Sequence, residues 1–407
     1  METTVLAIFA VVYAGMLLGG LPFLQLDRTG VALLGAIALV AAGALTPEQA
    51  AQSVHLPTLL LLFSFMVISA QMRLGGFYTQ VTLALSDMRL SPPALLAALV
   101  AVVGALSAVF SNDVICLAVA PVLADACLAR RLDPVPYLLG LACAANVGSA
   151  ATLIGNPQNM LIGQVLELSF ADYFLEAIVP VVVGLAATWA LIAWQTRGRW
   201  RTVFDDPPPE RRHDFATYDR WQSGKGLVVA GALVGVFLLT DLPREVAALA
   251  GAGVLLMSRK LHSNKMLGLV DWELLVLFIG LFVVNHALER TGLAAAAMAW
   301  LTQGGVPLSD PGPLFAATLV LSNVVSNVPA VMLLLPAATE PYAGPMLALV
   351  STLAGNFLLI GSIANLIVVD AARRRGIAID WRTHARTGVP VALATLLVTG
   401  LWFALRH

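Results

Sequence analysis

The chain has 407 residues, of which 59% are hydrophobic and only 12% are charged, about half the charged share of an ordinary globular protein. Together with a mean hydropathy of +0.86, this composition excludes a water-soluble surface and predicts a chain whose main solvent is lipid. The formal net charge of −1 gives no basic surface for nucleic acid, so no nucleic-acid partner is expected. The three cysteines have the spacing of neither a disulfide framework nor a zinc site.

Apolar stretches follow one another from the N-terminus, which lacks Lys or Arg before its first apolar run and predicts a membrane span rather than a cleaved signal. A full crossing needs about 20 apolar residues. Four stretches are too short or are broken by polar pairs, and we interpret them as two re-entrant hairpins, which leaves about ten crossings. The predicted stretches lie at about 4–20, 30–45, 56–72, 94–110, 114–129, 135–165, 174–196, 226–241, 245–258, 272–288, 313–323, 328–339, 345–369 and 388–405.

The basic residues test this arrangement. With the N-terminus outside, all but three of the 23 Lys and Arg fall in cytoplasmic segments, the exceptions being Arg244, Arg290 and Arg406. This predicts an integral plasma (inner) membrane protein with both termini outside and its basic loops in the cytoplasm. The longest polar stretch, 197–225, is the predicted cytoplasmic linker, and its basic residues are interpreted as topology determinants and lipid-headgroup contacts rather than a ligand site.

The two halves of the chain resemble each other. The motif at 111–113 recurs at 326–328, an offset of 215 residues, and the motif at 155–159 recurs at 361–365, an offset of 206. Because each half carries five crossings, an odd number, the second copy enters the membrane in the opposite sense, which predicts inverted repeats. The fold class is therefore an all-α polytopic membrane protein with two inverted repeats, each with a re-entrant helical hairpin and a broken transmembrane helix. The predicted units are the first repeat 1–196 (hairpin 94–129, broken helix 135–165), the linker 197–225, and the second repeat 226–407 (hairpin 313–339, broken helix 345–369).

The hairpin tips carry the first candidate site. Ser and Asn side chains offer donors and acceptors, and two opposed tips would form a polar chamber at the membrane midplane. The alternative for a single tip is helix capping. The predicted substrate-binding residues are Ser111, Asn112, Asp113, Ser326 and Asn327.

The broken helices carry the second candidate site. Gly155 permits unwinding, and Pro157 ends the first half-helix because it lacks an N–H donor. Unwound carbonyls and amide oxygens can coordinate a hard cation such as Na⁺, while the alternative is that these side chains only repair the broken backbone. The cation-binding candidates are Asn156, Asn159, Ser362 and Asn365.

Asp113 is the predicted proton carrier. A carboxylate at membrane depth is costly and is a functional hypothesis by default, and burial favours its protonated form. Its counterpart in the second half, Val328, is apolar, so only one repeat holds the ionisable group. The alternative is an N-cap that faces cytoplasmic water.

At these residues the chain resembles the ion transporter superfamily, which includes arsenite permeases, Na⁺/H⁺ antiporters and the Na⁺ symporters of dicarboxylates and citrate. The stretch Asn146–Pro157 is similar to the Asn-Ile-Gly-Gly-Thr-Ala-Thr-Leu-Ile-Gly-Xaa-Pro stretch of the arsenite-permease and antiporter branch. The dicarboxylate symporters carry Ser-Asn-Thr at both tips, where this chain has Ser-Asn-Asp and Ser-Asn-Val. In the second tip Ser326 stands where arsenite permeases tend to have Asn.

The resemblance implies a secondary active transporter that is a homodimer and moves its substrate by alternating access. We expect a small inorganic anion or oxyacid, arsenite-like, exchanged against H⁺ through Asp113. The alternative is Na⁺/H⁺ antiport or Na⁺-coupled di- or tricarboxylate symport. Apart from H⁺ or Na⁺ as coupling ion, no cofactor is expected. Matched broken helices favour a carrier over a channel, and the chain has no HExxH or nucleophile-elbow motif that would indicate an enzyme.

Overall fold

A computed structural model describes residues 1–21, 24–201 and 217–406. In these residues the chain forms a mostly helical polytopic membrane protein, with two short strands, β1 (Gly20–Leu21) and β2 (Leu26–Asp27). Residues 202–216 of the predicted linker lie outside the described residues. The helices are α1 (Glu2–Leu18), α2 (Arg28–Ala41), α3 (Pro47–Ser53), α4 (Leu56–Leu74), α5 (Phe77–Asp87), α6 (Pro92–Val109), α7 (Asn112–Ala129), α8 (Pro134–Ser149), α9 (Pro157–Val165), α10 (Phe170–Gln195), α11 (Arg220–Leu239), α12 (Arg244–Leu256), α13 (Ser263–Leu267), α14 (Trp272–Arg290), α15 (Leu293–Gln303), α16 (Pro311–Val325), α17 (Asn327–Leu334), α18 (Ala343–Ala354), α19 (Ile363–Arg373) and α20 (Trp381–Arg406).

The helices of the two halves follow the same order, and each of α1–α10 has a counterpart ten places later. Helices α4 and α14 both have 19 residues, and α10 and α20 both have 26. The second helix of each half packs against the other half: α2 packs against α14, and α12 packs against α4. Gly280 allows the close approach of α14, since a Cβ there would lie 2.7 Å from the carbonyl carbon of Ala32. The two halves therefore interlock instead of packing as two separate domains.

Seven of the described helices are long and apolar enough to cross a membrane by length and composition. Two of them, α6 and α7, are the arms of the first predicted hairpin, so the expectation that these stretches are too short is wrong. Each has 18 residues, or about 27 Å at 1.5 Å per residue. The break between them is the polar tip itself, because α6 ends at Val109 and α7 begins at Asn112.

The depth of the first tip follows from its contact with the broken helix. The backbone N–H of Asn112 donates to the carbonyl of Gly155 (3.2 Å), which lies in the gap between α8 and α9. At the other end of the hairpin, Tyr137 Oη donates to the carbonyl of Pro92 (3.1 Å), so α6 begins beside the start of α8. The tip is therefore level with the gap and does not reach the far end of α9.

Both broken helices contain a gap at the predicted place. In the first, α8 ends at Ser149 and α9 begins at Pro157; in the second, α18 ends at Ala354 and α19 begins at Ile363 after a short 3₁₀ turn. Gly155 is required in the first gap, because a Cβ there would lie 2.2 Å from the carbonyl oxygen of Ser149. The chain can fold back on itself at this point only without a side chain.

Four short helices, α3, α5, α13 and α15, occupy stretches that the sequence reading treats as connections. Helices α5 and α15 are counterparts, and both start after a glycine in the left-handed conformation, Gly76 (φ 70°) and Gly292 (φ 74°). Each of these helices has at most 11 residues, which is too short to register as a span.

Candidate functional site

The two hairpin tips and the two gaps meet around one small cavity of about 40 Å³. A cavity needs about 10–15 Å³ by this measure to hold a water, so this one has room for about three water-sized groups. Among the predicted substrate-binding residues, Ser111 does not line it. The lining residues are Asn112, Asp113, Pro157, Gln158, Leu274, Ser326, Asn327, Val328, Gly361, Ser362 and Ile363.

The first tip is anchored through Asn112, which is buried. Its Nδ2 donates to Oδ1 of Asn146 on α8 (3.0 Å), and its backbone N–H is held by the carbonyl of Gly155. Its side-chain Oδ1 has no hydrogen-bond partner among the described residues. An unpaired buried amide oxygen is costly, so the tip presents an acceptor that a donor or a cation would satisfy.

The second tip is strained. Ser326 is the single residue between α16 and α17, and its backbone lies at φ 79° and ψ 160°, a region that is essentially restricted to glycine. Asn327 follows, and its buried side-chain Oδ1 also lacks a hydrogen-bond partner among the described residues. The two tips therefore present matching acceptors, one from each half of the chain.

Asp113 lies in the first turn of α7 and lines the cavity. Its carboxylate makes no hydrogen bond or ion pair to any side chain or backbone group in the described part of the chain. Val328, its counterpart, lines the cavity from the second tip, so the cavity contains one carboxylate and no Lys, Arg or His.

The cation candidates of the first gap are fully used in holding the gap together. Asn156 Nδ2 donates to Oγ of Ser149 (3.1 Å) and to Oγ1 of Thr352 (3.1 Å), while its Oδ1 accepts from the backbone of Asn159 (2.9 Å). Asn159 Nδ2 in turn donates to Oη of Tyr173 (3.1 Å), and its Oδ1 accepts from Thr352 (3.2 Å). Neither side chain lines the cavity.

Of the two cation-binding candidates of the second gap, one lines the cavity and one does not. Ser362 lines the cavity and donates to Oδ1 of Asn146 (2.9 Å). Asn365 does not line it, because its Nδ2 donates to the carbonyls of Gly355 (2.8 Å) and Leu358 (3.2 Å) across the gap.

Two residues that the sequence analysis does not select, Asn146 and Thr352, connect the repeats. They occupy the same position in the helices that precede the two gaps, 206 residues apart. Thr352 binds the first gap as described, and Asn146 Nδ2 donates to the side chains of Asn356 (2.8 Å) and Asn365 (3.2 Å) in the second. Each gap is thus held by a polar residue from the opposite repeat, and the 206-residue offset was the signal that could have found them.

A second matched pair, Ser107 and Ser322, lies one turn before the tips at the 215-residue offset. Both side chains are buried, and neither hydroxyl has a hydrogen-bond partner among the described residues. Together with the amide oxygens of Asn112, Asn323 and Asn327, they give the tips and the turns before them five unpaired buried oxygens among the described residues.

Comparison with known proteins gives consistent results. The family model described as "Citrate transporter" (CitMHS) matches residues 5–354. The chain is 28% identical to the silicon efflux transporter LSI3 of Oryza sativa subsp. japonica, over 93% of this chain and 92% of that protein. It is 23% identical to the putative transporter arsB of Dictyostelium discoideum, over 92% and 87%. The fold is similar to the crystal structure of the Alcanivorax borkumensis YdaH transporter, with a TM-score of 0.59, 16% identity and coverage of 99% and 97%.

Proposed function

The chain belongs to the citrate transporter family and is a membrane transporter, and we propose that it carries a small inorganic oxyacid, arsenite-like, by alternating access in exchange for protons. The observation that carries the proposal is the composition and size of the cavity between the two tips. Its volume of about 40 Å³ suits a molecule with about three oxygen atoms.

The polar groups of the cavity select among substrates of that size. The unpaired oxygens of Asn112 and Asn327 are acceptors and need hydroxyl groups or a cation opposite them. A tricarboxylate would exceed the cavity and meet the Asp113 carboxylate with no cationic side chain to neutralise it. An uncharged hydroxide of arsenic or silicon supplies hydroxyl donors without negative charge, and the silicon efflux and arsB relatives support this class over citrate.

Asp113 supplies the proposed coupling. As a carboxylate it accepts a hydrogen bond from a substrate hydroxyl, and a hydrogen bond to a charged group is stronger than a neutral one. Protonation removes the charge and one acceptor site, so a proton and the substrate compete for the same side chain. Competition at one site produces exchange: substrate leaves on the side where the carboxyl becomes protonated.

An asymmetry between the repeats supports alternating access. Arg244, at the start of α12, donates to the carbonyl of Gly163 on α9 (2.6 Å). Its counterpart Arg28, at the start of α2, donates to the carbonyl of Met16 (3.1 Å). Among the described residues no hydrogen bond joins α2 to α19, the counterparts of α12 and α9. Two related pairs of helices, one joined by hydrogen bonds and one not, are what an inverted-repeat carrier exchanges as it changes sides.

The proposal is tested by binding to purified protein, measured as thermal stabilisation by arsenite, silicic acid and citrate at about pH 5.5 and about pH 8. We expect arsenite or silicic acid to stabilise the protein more at the higher pH, where Asp113 is ionised. Asp113→Asn should weaken binding about tenfold or more and make it independent of pH. Asp172→Asn, an exposed carboxylate on α10, is the control and should behave as the wild type.

Stabilisation by citrate alone would contradict the oxyacid assignment. Unchanged pH dependence of proteoliposome transport in Asp113→Asn would contradict the proton coupling.

The second candidate is Na⁺ coupling. The unpaired oxygens of Ser107, Asn112, Ser322 and Asn327 are the kind of ligand a hard cation prefers. In the same assay Na⁺ but not K⁺ would then stabilise the protein, and Ser107→Ala and Ser322→Ala would each reduce that effect.

A further inference from the structure

A second cavity, of about 730 Å³, lies where α10 ends and α20 begins, and its lining is basic. Three arginines line it, Arg197, Arg199 and Arg386, with one carboxylate, Asp133. This cavity is separate from the one between the hairpin tips and shares no lining residue with it.

The walls of this basic pocket are fixed by hydrogen bonds between elements far apart in the chain. Gln195 Nε2 donates to the carbonyl of Arg386 (2.8 Å), and its Oε1 accepts from Oγ1 of Thr387 (3.0 Å). On the other side, the backbone N–H of Asp133 donates to the carbonyl of Trp200 (3.0 Å). The pocket is therefore built on backbone held in place rather than on a loose loop.

Among the described residues, the positive charges of the pocket exceed the negative ones. The guanidinium groups of Arg197 and Arg386 make no hydrogen bond or ion pair with any residue that the structure describes. The one carboxylate, Asp133, caps α8 by accepting from the backbone of Val135 (3.0 Å), and its single charge offsets only one of the three arginines. The pocket thus has an excess of positive charge that an anion would neutralise.

The opposite ends of the same two helices make the contrast clear. Helices α10 and α20 are counterparts, 211 residues apart, so the pair Gln195 and Thr387 corresponds to the pair Arg406 and Glu176. Arg406 and Glu176 form an ion pair (2.6 Å), whereas Gln195 and Thr387 form a neutral hydrogen bond (3.0 Å). One end is closed by its own ion pair, whereas both of the corresponding positions at the basic end are neutral and leave the arginines there without it.

The pocket lies at the level of lipid headgroups, because two membrane-spanning helices have their ends there. Trp194 and Trp381 flank it with side chains that are each 64% exposed, as in the aromatic belt at a membrane surface. Further along α10, from Phe174 to Trp189, an apolar cavity of about 600 Å³ opens against α6. Its α6 wall consists largely of alanines, which leaves room for a chain.

We propose that the basic pocket binds the phosphate headgroup of an anionic phospholipid, with an acyl chain in the apolar cavity between α6 and α10. The arginines supply charge-assisted hydrogen bonds to phosphate oxygens, and the adjacent apolar cavity distinguishes a lipid from free phosphate. By joining the end of α10 to the start of α20, such a lipid would link the two repeats at their basic end.

The test measures the melting temperature of the purified full-length protein in mild detergent with added phosphatidylglycerol, phosphatidylcholine or inorganic phosphate. We expect phosphatidylglycerol to raise it more than phosphatidylcholine. The double variant Arg197→Gln/Arg386→Gln should lose the difference, with affinity falling about tenfold for each charge-assisted hydrogen bond removed. Arg382→Gln, whose guanidinium stacks over Trp381 outside the pocket, is the matched control and should keep it.

Three outcomes would overturn the proposal: equal stabilisation by both lipids, an unchanged response in the double variant, or the full effect from inorganic phosphate alone. The last would assign the pocket to free phosphate. Ala101→Phe, which fills the apolar cavity without touching the arginines, separates the two contributions. It should weaken phosphatidylglycerol binding and leave any phosphate effect unchanged, and native mass spectrometry of retained lipid provides an independent readout.

Discussion

Asn146 is the residue on which most of the polar interior depends. Its Oδ1 accepts from Asn112 (3.0 Å) and Ser362 (2.9 Å), and its Nδ2 donates to Asn356 (2.8 Å) and Asn365 (3.2 Å). One amide therefore joins the first tip to the second gap. In a low-dielectric interior these hydrogen bonds are stronger than in water, and leaving one of their donors or acceptors unpaired costs more.

We expect Asn146→Ala to lower the free energy of unfolding by about 2–5 kcal/mol, because it leaves several buried polar groups unpaired. Thermal unfolding in detergent measures the effect. The exposed Asn264 provides the control, and Asn264→Ala should change stability by less than about 0.5 kcal/mol. Equal effects of the two substitutions would contradict the bridging role.

Ser326 offers a test in the opposite direction. Its positive φ of 79° is strained for a residue with a side chain, and such strain costs about 1–3 kcal/mol. Ser326→Gly should therefore stabilise the fold, whereas Ser111→Gly, at an ordinary φ of −54°, should destabilise it by about 0.5–1 kcal/mol through backbone entropy. Opposite shifts in melting temperature are expected, and a loss of stability in both variants would show that the second tip is not strained.

Corresponding helices of the two repeats make different contacts, and this difference defines the conformation described here. Gln164 Nε2 on α9 donates to Glu245 Oε2 on α12 (3.4 Å), next to the contact of Arg244 with Gly163. The counterparts of Gln164 and Glu245 are Asp370 on α19 and Thr29 on α2. Thr29 instead donates to the carbonyl of Glu273 (3.3 Å), and Asp370 binds arginines of its own helix.

Disulfide crosslinking tests whether the contacts alternate. In a background with the three native cysteines replaced, the pair Gln164→Cys/Glu245→Cys should crosslink in the conformation described here. The pair Thr29→Cys/Asp370→Cys should crosslink in the alternate conformation, and each crosslink should stop transport in proteoliposomes. Crosslinking of the first pair without any loss of transport would contradict alternating access.

Across the molecule, apolar helices that are long enough to cross a membrane stand beside shorter apolar helices. Helices α1, α2 and α12 have 17, 14 and 13 residues, so the latter two fall below the length of a full span. Helix α2 packs against α14 and α12 packs against α4, so a neighbouring helix covers part of the surface of each. The prediction of which side of the membrane each loop faces therefore rests on the basic residues and not on helix length alone.

Single cysteines in the same cysteine-free background test that prediction. A membrane-impermeant maleimide should label Glu2→Cys and Arg406→Cys in intact cells and label Arg374→Cys only after permeabilisation. Both the labelled and the protected positions are needed, because an inverted chain would reverse the two sets. Labelling of Arg374→Cys in intact cells would overturn the predicted orientation.

Much of this architecture could be predicted from the sequence because lipid tolerates few polar groups. The gaps near Gly155 and Gly361 and the tips at Ser111 and Ser326 are visible as polar interruptions that recur at fixed offsets. The tip prediction also placed Asn112 and Asn327 on one cavity. The cation site at Asn156 and Asn159 stays a prediction, and the sequence does not indicate that the amide groups of these two residues bond within the protein.

The amino-acid sequence was enough to predict the membrane class, most of the apolar stretches, the repeat and the polar motifs, since hydropathy and periodicity are local properties of the chain. Which of those motifs meet is visible only in the folded protein. The contact of Asn146 with Asn356, the ion pair of Asp125 with Arg375, 250 residues away, and the basic pocket beside Gln195 all join helices distant in the chain. The physical reason is that such contacts depend on how helices cross and exchange between the repeats, and helix packing leaves no periodic signal in either repeat alone.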